Sequence, residues 1–286
     1  MSKPGGQVSR ASQWLESHTA MPPHAARALA ALVPGLLARI PRRHGTSLGI
    51  AGPPGSGKST LARLLSFMLN ESGTPTVLLS LDDYYLSRQD REALAQGRHT
   101  LLRRRGVPGT HDWQRFIRDF DCLREGDATE LRLPVFDKAT DDIAPRERWR
   151  AVKENPLCVL VEGWCIGAPA QDAADLTEPV NELERRGDSR GIWRAYVNAC
   201  LGRYCDDLAP RIGRYWYLQV PAWDCVIDWR WQQEQELAQA RLHSRAETAA
   251  FLATFERIVR HMQASAAAWA ECRLRADSAH RLQVMP

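Results

Sequence analysis

Gly52-Pro53-Pro54-Gly55-Ser56-Gly57-Lys58-Ser59 stands between the apolar run Ser47-Leu48-Gly49-Ile50-Ala51 and a segment, Thr60 to Asn70, with helical apolar spacing at Leu61, Leu64, Leu65, Met68 and Leu69. A short buried strand, a glycine loop and a helix in that order bring main-chain N–H groups and a helix N-terminus onto one anion. The spacing G-x-x-x-x-G-K-S adds a cation and a hydroxyl: Lys58 for the β- and γ-phosphates of a nucleoside triphosphate, Ser59 for Mg²⁺. Gly55 and Gly57 let the backbone approach phosphate with no Cβ in the way. Gly52, Pro53, Pro54, Gly55, Ser56, Gly57, Lys58, Ser59 and Thr60 are therefore the candidate ATP contacts. A dinucleotide fingerprint, G-x-G-x-x-G, fails because Thr60 occupies its third glycine position.

Outward from this loop the chain alternates strands and helices. Residues 8–40 read as helical, broken at Pro22-Pro23 and bent near Pro34-Gly35. Strands are expected at 47–51, 76–81, 157–161, 215–220 and 272–275, with a proline-bearing edge strand at 131–136. Helices are expected at 86–96, 113–123, 191–208, 223–239 and 245–268. That alternation predicts an α/β fold of the P-loop NTPase type, a mostly parallel sheet with helices on both faces. Residues 1–45 form an N-terminal helical extension and residues 46–286 the P-loop domain in this reading.

Composition narrows the function classes. The 286 residues are 44% hydrophobic and 25% charged with a net charge of +4, too mild a balance to imply nucleic acid. No run approaches the ~20 apolar residues of a bilayer span, so no membrane partner is expected. Seven cysteines form no C-x-x-C pair and no zinc spacing, which points to free thiols in a reducing cytoplasm. Nothing in the sequence sets an oligomeric state.

In an open parallel sheet, ligands lie beyond the carboxyl ends of the strands. Besides the glycine loop, two predicted strand ends carry acids: Asp82-Asp83 and Glu162. Asp82 is assigned as general base and Glu162 as the Mg²⁺-side carboxylate, with Ser59 and Asp82 as further metal ligands. Asp83 is the alternative base, although a helix N-cap is its competing reading. The charged, glycine-bearing stretch Glu184–Gly191 is the candidate lid, with Arg186, Arg190 and Arg194 as phosphate contacts. Arg230 and Glu234, spaced i, i+4, read as a helix-surface ion pair.

Several segments in order complete a resemblance: the loop Gly52–Thr60, Leu81-Asp82-Asp83-Tyr84-Tyr85, Arg105-Gly106-Val107-Pro108-Gly109-Thr110-His111-Asp112, Pro134-Val135-Phe136-Asp137-Lys138, Glu162-Gly163-Trp164, Trp193-Arg194-Ala195-Tyr196-Val197-Asn198 and Trp229-Arg230-Trp231-Gln232-Gln233-Glu234. From about residue 45 to 270 the chain resembles the D-glycerate 3-kinase family, related to phosphoribulokinase, uridine kinase and pantothenate kinase. The resemblance implies ATP-dependent phosphorylation of a hydroxyl on a small metabolite, and Asp82 aligns with the catalytic aspartate of the uridine kinase relatives. Asp137–Arg146 departs from the plant-like pattern, in which a Gly-Asp-Arg stretch follows the Asp-Lys pair. The partner implied is a small anionic hydroxy acid; an Arg holds a carboxylate well. Asp83, Tyr85, Arg105, His111, Lys138 and Arg146 are the candidate substrate residues. A kinase for another acceptor (nucleoside, pantothenate-like or sugar) and a nucleotide-dependent switch are the competing readings.

Overall fold

A computed structural model describes residues 4–235 and 242–285. In chain order the helices and strands are α1 (Pro4–His18), α2 (Pro23–Ala38), β1 (Thr46–Ala51), α3 (Lys58–Glu71), β2 (Thr76–Ser80), α4 (Arg88–Gly97) and α5 (Trp113–Glu125). Then come β3 (Arg132–Leu133), β4 (Phe136–Asp137), β5 (Asp142–Ile143), β6 (Arg150–Ala151), β7 (Cys158–Gly163), α6 (Glu182–Gly187) and α7 (Ile192–Leu208). The chain ends with β8 (Arg214–Gln219), α8 (Trp223–Gln235), α9 (Arg245–Trp269), β9 (Cys272–Ala276) and β10 (Leu282–Val284). The last residues of the helix expected at 223–239 lie outside the described residues.

The main sheet has six strands in the order β10-β9-β8-β1-β7-β2. All its pairings are parallel except β10 on β9, a terminal hairpin that the sequence reading did not include. Every residue of β1 and of β7 is buried. Burial of alternate residues on both sides means that both faces are covered, which is why these strands are continuous apolar runs rather than alternating ones. The register aligns their ends: Ile50 pairs with Glu162, and Ser80 pairs with Glu162 from the other side. The loop after β1, the turn after β2 and the end of β7 therefore emerge together on one rim of the sheet.

Proline explains two local features. Pro23 opens α2, where its missing N–H costs no hydrogen bond. Pro134 divides the expected strand 131–136: Arg132–Leu133 pairs with β6 and Phe136–Asp137 with β5. Neither piece joins the main sheet, so the expected edge strand is replaced by two small antiparallel pairs, as a residue without N–H at the centre requires. Helix α2 continues through Pro34. Ala11, Trp14 and Leu15 of α1 and Leu29, Val33 and Leu36 of α2 belong to the same apolar core as the sheet. Cys158, Cys165 and Cys272 are buried and all seven thiols are free.

Candidate active site

The glycine loop has the backbone that its sequence requires. Gly55 and Gly57 adopt φ of 80° and 87°, left-handed values that suit glycine. Gly57 caps α3 without any side-chain hydrogen bond, which leaves the first-turn N–H groups of a 14-residue helix open for an anion. Lys58 and Ser59 open that helix. Helix α8 covers the loop closely: a Cβ on Gly55 would lie 3.4 Å from Trp229 Cβ.

Asp82 and Asp83 sit on a tight 3₁₀ turn, Leu81–Tyr84, directly after β2. The cap of α4 is Ser87, whose hydroxyl accepts from Asp90 N at 3.0 Å, so Asp83 has no capping role. Asp82 Oδ1 accepts from Tyr85 Oη at 2.8 Å and Oδ2 from Lys138 Nζ at 2.7 Å. Burial alone would raise this carboxyl, but Lys138 and Lys58, with the two hydrogen bonds, hold it well below the usual carboxylate range. Asp83 moves the other way: burial raises it, against the opposing pull of Arg150 and of Phe136 N–H. The two neighbouring acids are thus shifted in opposite directions, and Asp82 is the more strongly held in its ionised form.

Glu162 is 5% exposed; its Oε1 accepts from Ser80 Oγ at 2.6 Å, as the strand register demands. Its Oε2 is buried without a partner. An unsatisfied buried carboxylate oxygen is costly, and a cation is its natural complement. Ser59, Asp82 and Glu162 border one cavity of about 470 Å³ with Asp83, Lys138 and Arg150. A hydroxyl and two carboxylates are hard oxygen donors of the kind Mg²⁺ takes, and Mg²⁺ keeps waters and phosphate oxygens as its remaining ligands. These residues fit the ion.

A second cavity, about 320 Å³, lies on the phosphate loop itself and shares Ser59, Arg63, Asp82 and Lys138 with the first. Tyr85, Arg105 and Lys138 border it, as do Lys58 and Thr60. Arg105 pairs with Asp141 and stacks its guanidinium 5.4 Å from the Phe136 ring. His111 lies behind Tyr85, stacked on it at 4.7 Å between centroids, with Nδ1 3.1 Å from Tyr204 Oη. Burial pushes the imidazole down to about 3, against a smaller upward pull from Asp82. It borders a separate cavity of about 590 Å³, with Trp113 of α5 and Tyr196 of α7, so its contact with the site runs through Tyr85. Arg146 is exposed and borders neither cavity at the loop.

The expected lid is differently built. Asn181 caps α6 by accepting from Glu184 N. Glu184, 0% exposed, is gripped by Arg257 of α9 at 2.6 and 2.8 Å. Arg194 is 5% exposed and donates to Leu176 O, Thr177 O and Asp188. Arg186 pairs with Glu182 on the surface, and Arg190 is exposed. None of the three arginines borders the phosphate-loop cavities, and the segment is locked by buried ion pairs rather than hinged.

The cations at the loop come instead from Arg63, one helical turn beyond Ser59, and from Arg230 of α8. The i, i+4 spacing of Ser59 and Arg63 carried that signal in the sequence. Arg230 does pair with Glu234, as read, yet it also borders the cavity with Gln233. Trp164, Phe251 and Phe255 supply apolar wall; Trp164 lies in the Glu162-Gly163-Trp164 segment of the resemblance, and no motif announced the two phenylalanines.

No protein-family model matches the chain. Over 205 residues it is 31% identical to mug58, an uncharacterized kinase of Schizosaccharomyces pombe, an alignment covering 68% of this chain and 72% of that protein. It is 26% identical over 204 residues to the chloroplastic D-glycerate 3-kinase of Arabidopsis thaliana, spanning 67% of this chain and 41% of that longer protein. In fold it is similar to the D-glycerate 3-kinase from Cryptococcus neoformans var. grubii, with a TM-score of 0.70 at 20% identity, covering 97% of this chain and 98% of the other. No helix among the described residues is long and apolar enough to cross a membrane.

Proposed function

We propose that this chain, which belongs to the same kinase family as mug58 and resembles D-glycerate 3-kinases, transfers the γ-phosphoryl group of ATP to a hydroxyl of a small hydroxy acid, D-glycerate first, giving 3-phosphoglycerate and ADP. The observation that carries this reading is the convergence of Lys58, Ser59 and an ionised Asp82 on one cavity beside a glycine-built anion cradle. A nucleotide switch uses the cradle with a carboxylate on the metal side, the place that Glu162 fills. A second carboxylate, Asp82, at the mouth of that cradle is what an alcohol acceptor needs.

In this reading the N–H groups of Gly57 through Ser59 and the Lys58 ammonium hold the β- and γ-phosphates. Ser59 and Glu162, whose Oε2 has no partner, would hold Mg²⁺, which supplies charge neutralisation on the phosphates when bound, while Asp82, its two oxygens taken by Tyr85 and Lys138, is kept for the acceptor. Asp82 accepts the proton of the acceptor hydroxyl while that oxygen attacks phosphorus. Its carboxyl stays ionised at neutral pH, so the basic form is always available. Arg63 and Arg230 take the phosphate-neutralising role first assigned to Arg186, Arg190 and Arg194. Arg105 and Lys138 face the acceptor's anion, and Tyr85 orients Asp82 rather than binding substrate. Residues 46–286 form the catalytic unit, with α1 and α2 packed on it. The seven free thiols suit a cytoplasmic setting.

The test is a coupled ADP-release assay with Mg²⁺ and ATP over D-glycerate, other hydroxy acids, pantothenate, nucleosides and sugars. ADP release that depends on a hydroxy acid is the expected result. Equal, slow release with every acceptor and with none would assign the chain to nucleotide-dependent switching instead.

A further inference from the structure

Asp82 has two oxygens, and the two are held in different ways. Oδ1 is committed to Tyr85, which is 5% exposed and fixed between His111, stacked at 4.7 Å, and Phe136, edge-on at 5.2 Å. Oδ2 is covered by Lys138, whose side chain is 59% exposed and reaches in from the β4–β5 turn. The turn itself is anchored. Arg91 bonds Asp141 O at 2.6 Å, Arg91 and Arg105 both pair with the Asp141 carboxylate, and Arg148 pairs with Asp137 at 2.8 Å. With its backbone pinned, the part of this hairpin that moves is the four-carbon stem of Lys138. Asp82 and Lys138 also border both cavities, so the pair stands on the boundary between them.

A hydroxyl that gives its proton to Asp82 needs a carboxylate oxygen within hydrogen-bond reach, and the ammonium stands at the oxygen that Tyr85 leaves open. We propose that Lys138 selects the acceptor: it covers Oδ2 of Asp82 until an anionic group beside the acceptor's reacting hydroxyl draws the ammonium away. This rests on the kinase reading above, with Asp82 as proton acceptor. The ammonium end of the pair is open to solvent while the carboxylate end is half-buried, so an incoming carboxylate can draw Nζ outward by giving it an equal partner. An uncharged alcohol gives it none and must compete with the ammonium. Water is excluded in the same way, which limits wasted hydrolysis of ATP. The transfer itself balances simply: the hydroxyl proton goes to Asp82, the hydroxyl oxygen bonds to the γ-phosphorus, and the bond from that phosphorus to ADP breaks.

The experiment compares kcat/KM for D-glycerate and its uncharged amide, and ADP release without acceptor, in the full chain and in Lys138→Met and Lys138→Arg. In Lys138→Met, kcat/KM for glycerate is expected to fall roughly 10–100-fold, the scale of a hydrogen bond to a charged group, while the amide does not fall. The preference between the two shrinks by that factor and acceptor-free ADP release rises. Lys138→Arg keeps most of the preference. An unchanged preference in Lys138→Met, or an equal loss on both acceptors, overturns the proposal and leaves the kinase reading standing. A wild-type chain that phosphorylates no hydroxy acid sinks both.

Discussion

On one side of Asp82 the site is made of main chain: a strand end, two left-handed glycines and the bare N-terminus of α3. On the other side it is made of side chains: the β4–β5 hairpin, held by Arg91, Arg105 and Arg148 on Asp141 and Asp137, with Lys138 extended from it. The first half binds what every nucleoside triphosphate has in common and has little freedom to vary, because its donors are backbone N–H groups fixed by the sheet. In the proposed function the second half binds what distinguishes one acceptor from another. Its ion pairs can be exchanged without moving a strand.

The largest expected effect lies on the line between the halves. Asp82→Asn should lower kcat by ~10²–10⁴-fold, the usual scale of general-base loss. ATP affinity should stay near the wild-type value, because the cradle is untouched. Steady-state ADP release and a nucleotide-binding titration check both arms. Near-normal turnover in this variant would erase the division, since the acid joining nucleotide to acceptor would then do no chemistry.

A second variant probes whether the region after β7 belongs to either half. Glu184→Gln leaves Arg257, itself 5% exposed, charged without its carboxylate. Breaking a buried pair from one side costs roughly 3–5 kcal/mol. Urea unfolding should show that loss, while kcat at low temperature stays within about twofold. A large fall in kcat with little change in stability would restore this segment to the role of a moving lid.

The same contrast decides what could be read from the sequence. Spacing encodes backbone: G-x-x-x-x-G-K-S, the apolar runs of β1 and β7 and the acid ending each neighbouring strand follow from local pattern, and the parallel register then aligns Ser80 with Glu162. Ion-pair choice is not local. Nothing near Arg194 in the sequence says that its guanidinium turns inward to Asp188, Leu176 and Thr177. Nothing near Arg230 says that a helix-surface pair also borders the phosphate cavity. His111 stands among the candidate substrate residues as a basic residue of a segment that carries the resemblance, yet its ring is 4% exposed and stacks on Tyr85 from behind.

That placement of His111 has a measurable consequence. Its folded value is about 3, below the ordinary histidine value near 6.5. Below pH 6.5 the unfolded chain therefore binds a proton that the folded chain refuses. Stability is unaffected by this group above that pH and is lost progressively as pH falls from 6.5 toward 3. Between pH 7 and pH 5 the loss is about 2 kcal/mol, a unit of pKa being ~1.36 kcal/mol. His111→Gln should flatten the pH dependence of the urea midpoint by that amount over the same interval. An identical slope in the variant would show the imidazole accepting its proton in the folded state.

The smallest effect is expected at Arg186 and Arg190, where the sequence suggested phosphate contacts. Arg186 has 82% of its side chain exposed, and its partner Glu182, four residues earlier on α6, is 53% exposed. Such i, i+4 pairs are worth ~0.3–0.5 kcal/mol in solution. Arg186→Ala and Arg190→Ala should therefore change kcat and the KM for ATP by less than about twofold, and the urea midpoint only slightly. A preorganised cation on the transferring phosphoryl group is worth far more, ~10²–10³ in turnover. Parallel kinetics on Arg63→Ala and Arg230→Ala make the test sharp. If the anion cradle draws its side-chain charge from α3 and α8, those two variants lose turnover and the α6 arginines do not. The reverse pattern would mean that α6 closes over the nucleotide during turnover, detaching Glu184 from Arg257, and that the acceptor half extends to a segment held here by buried ion pairs.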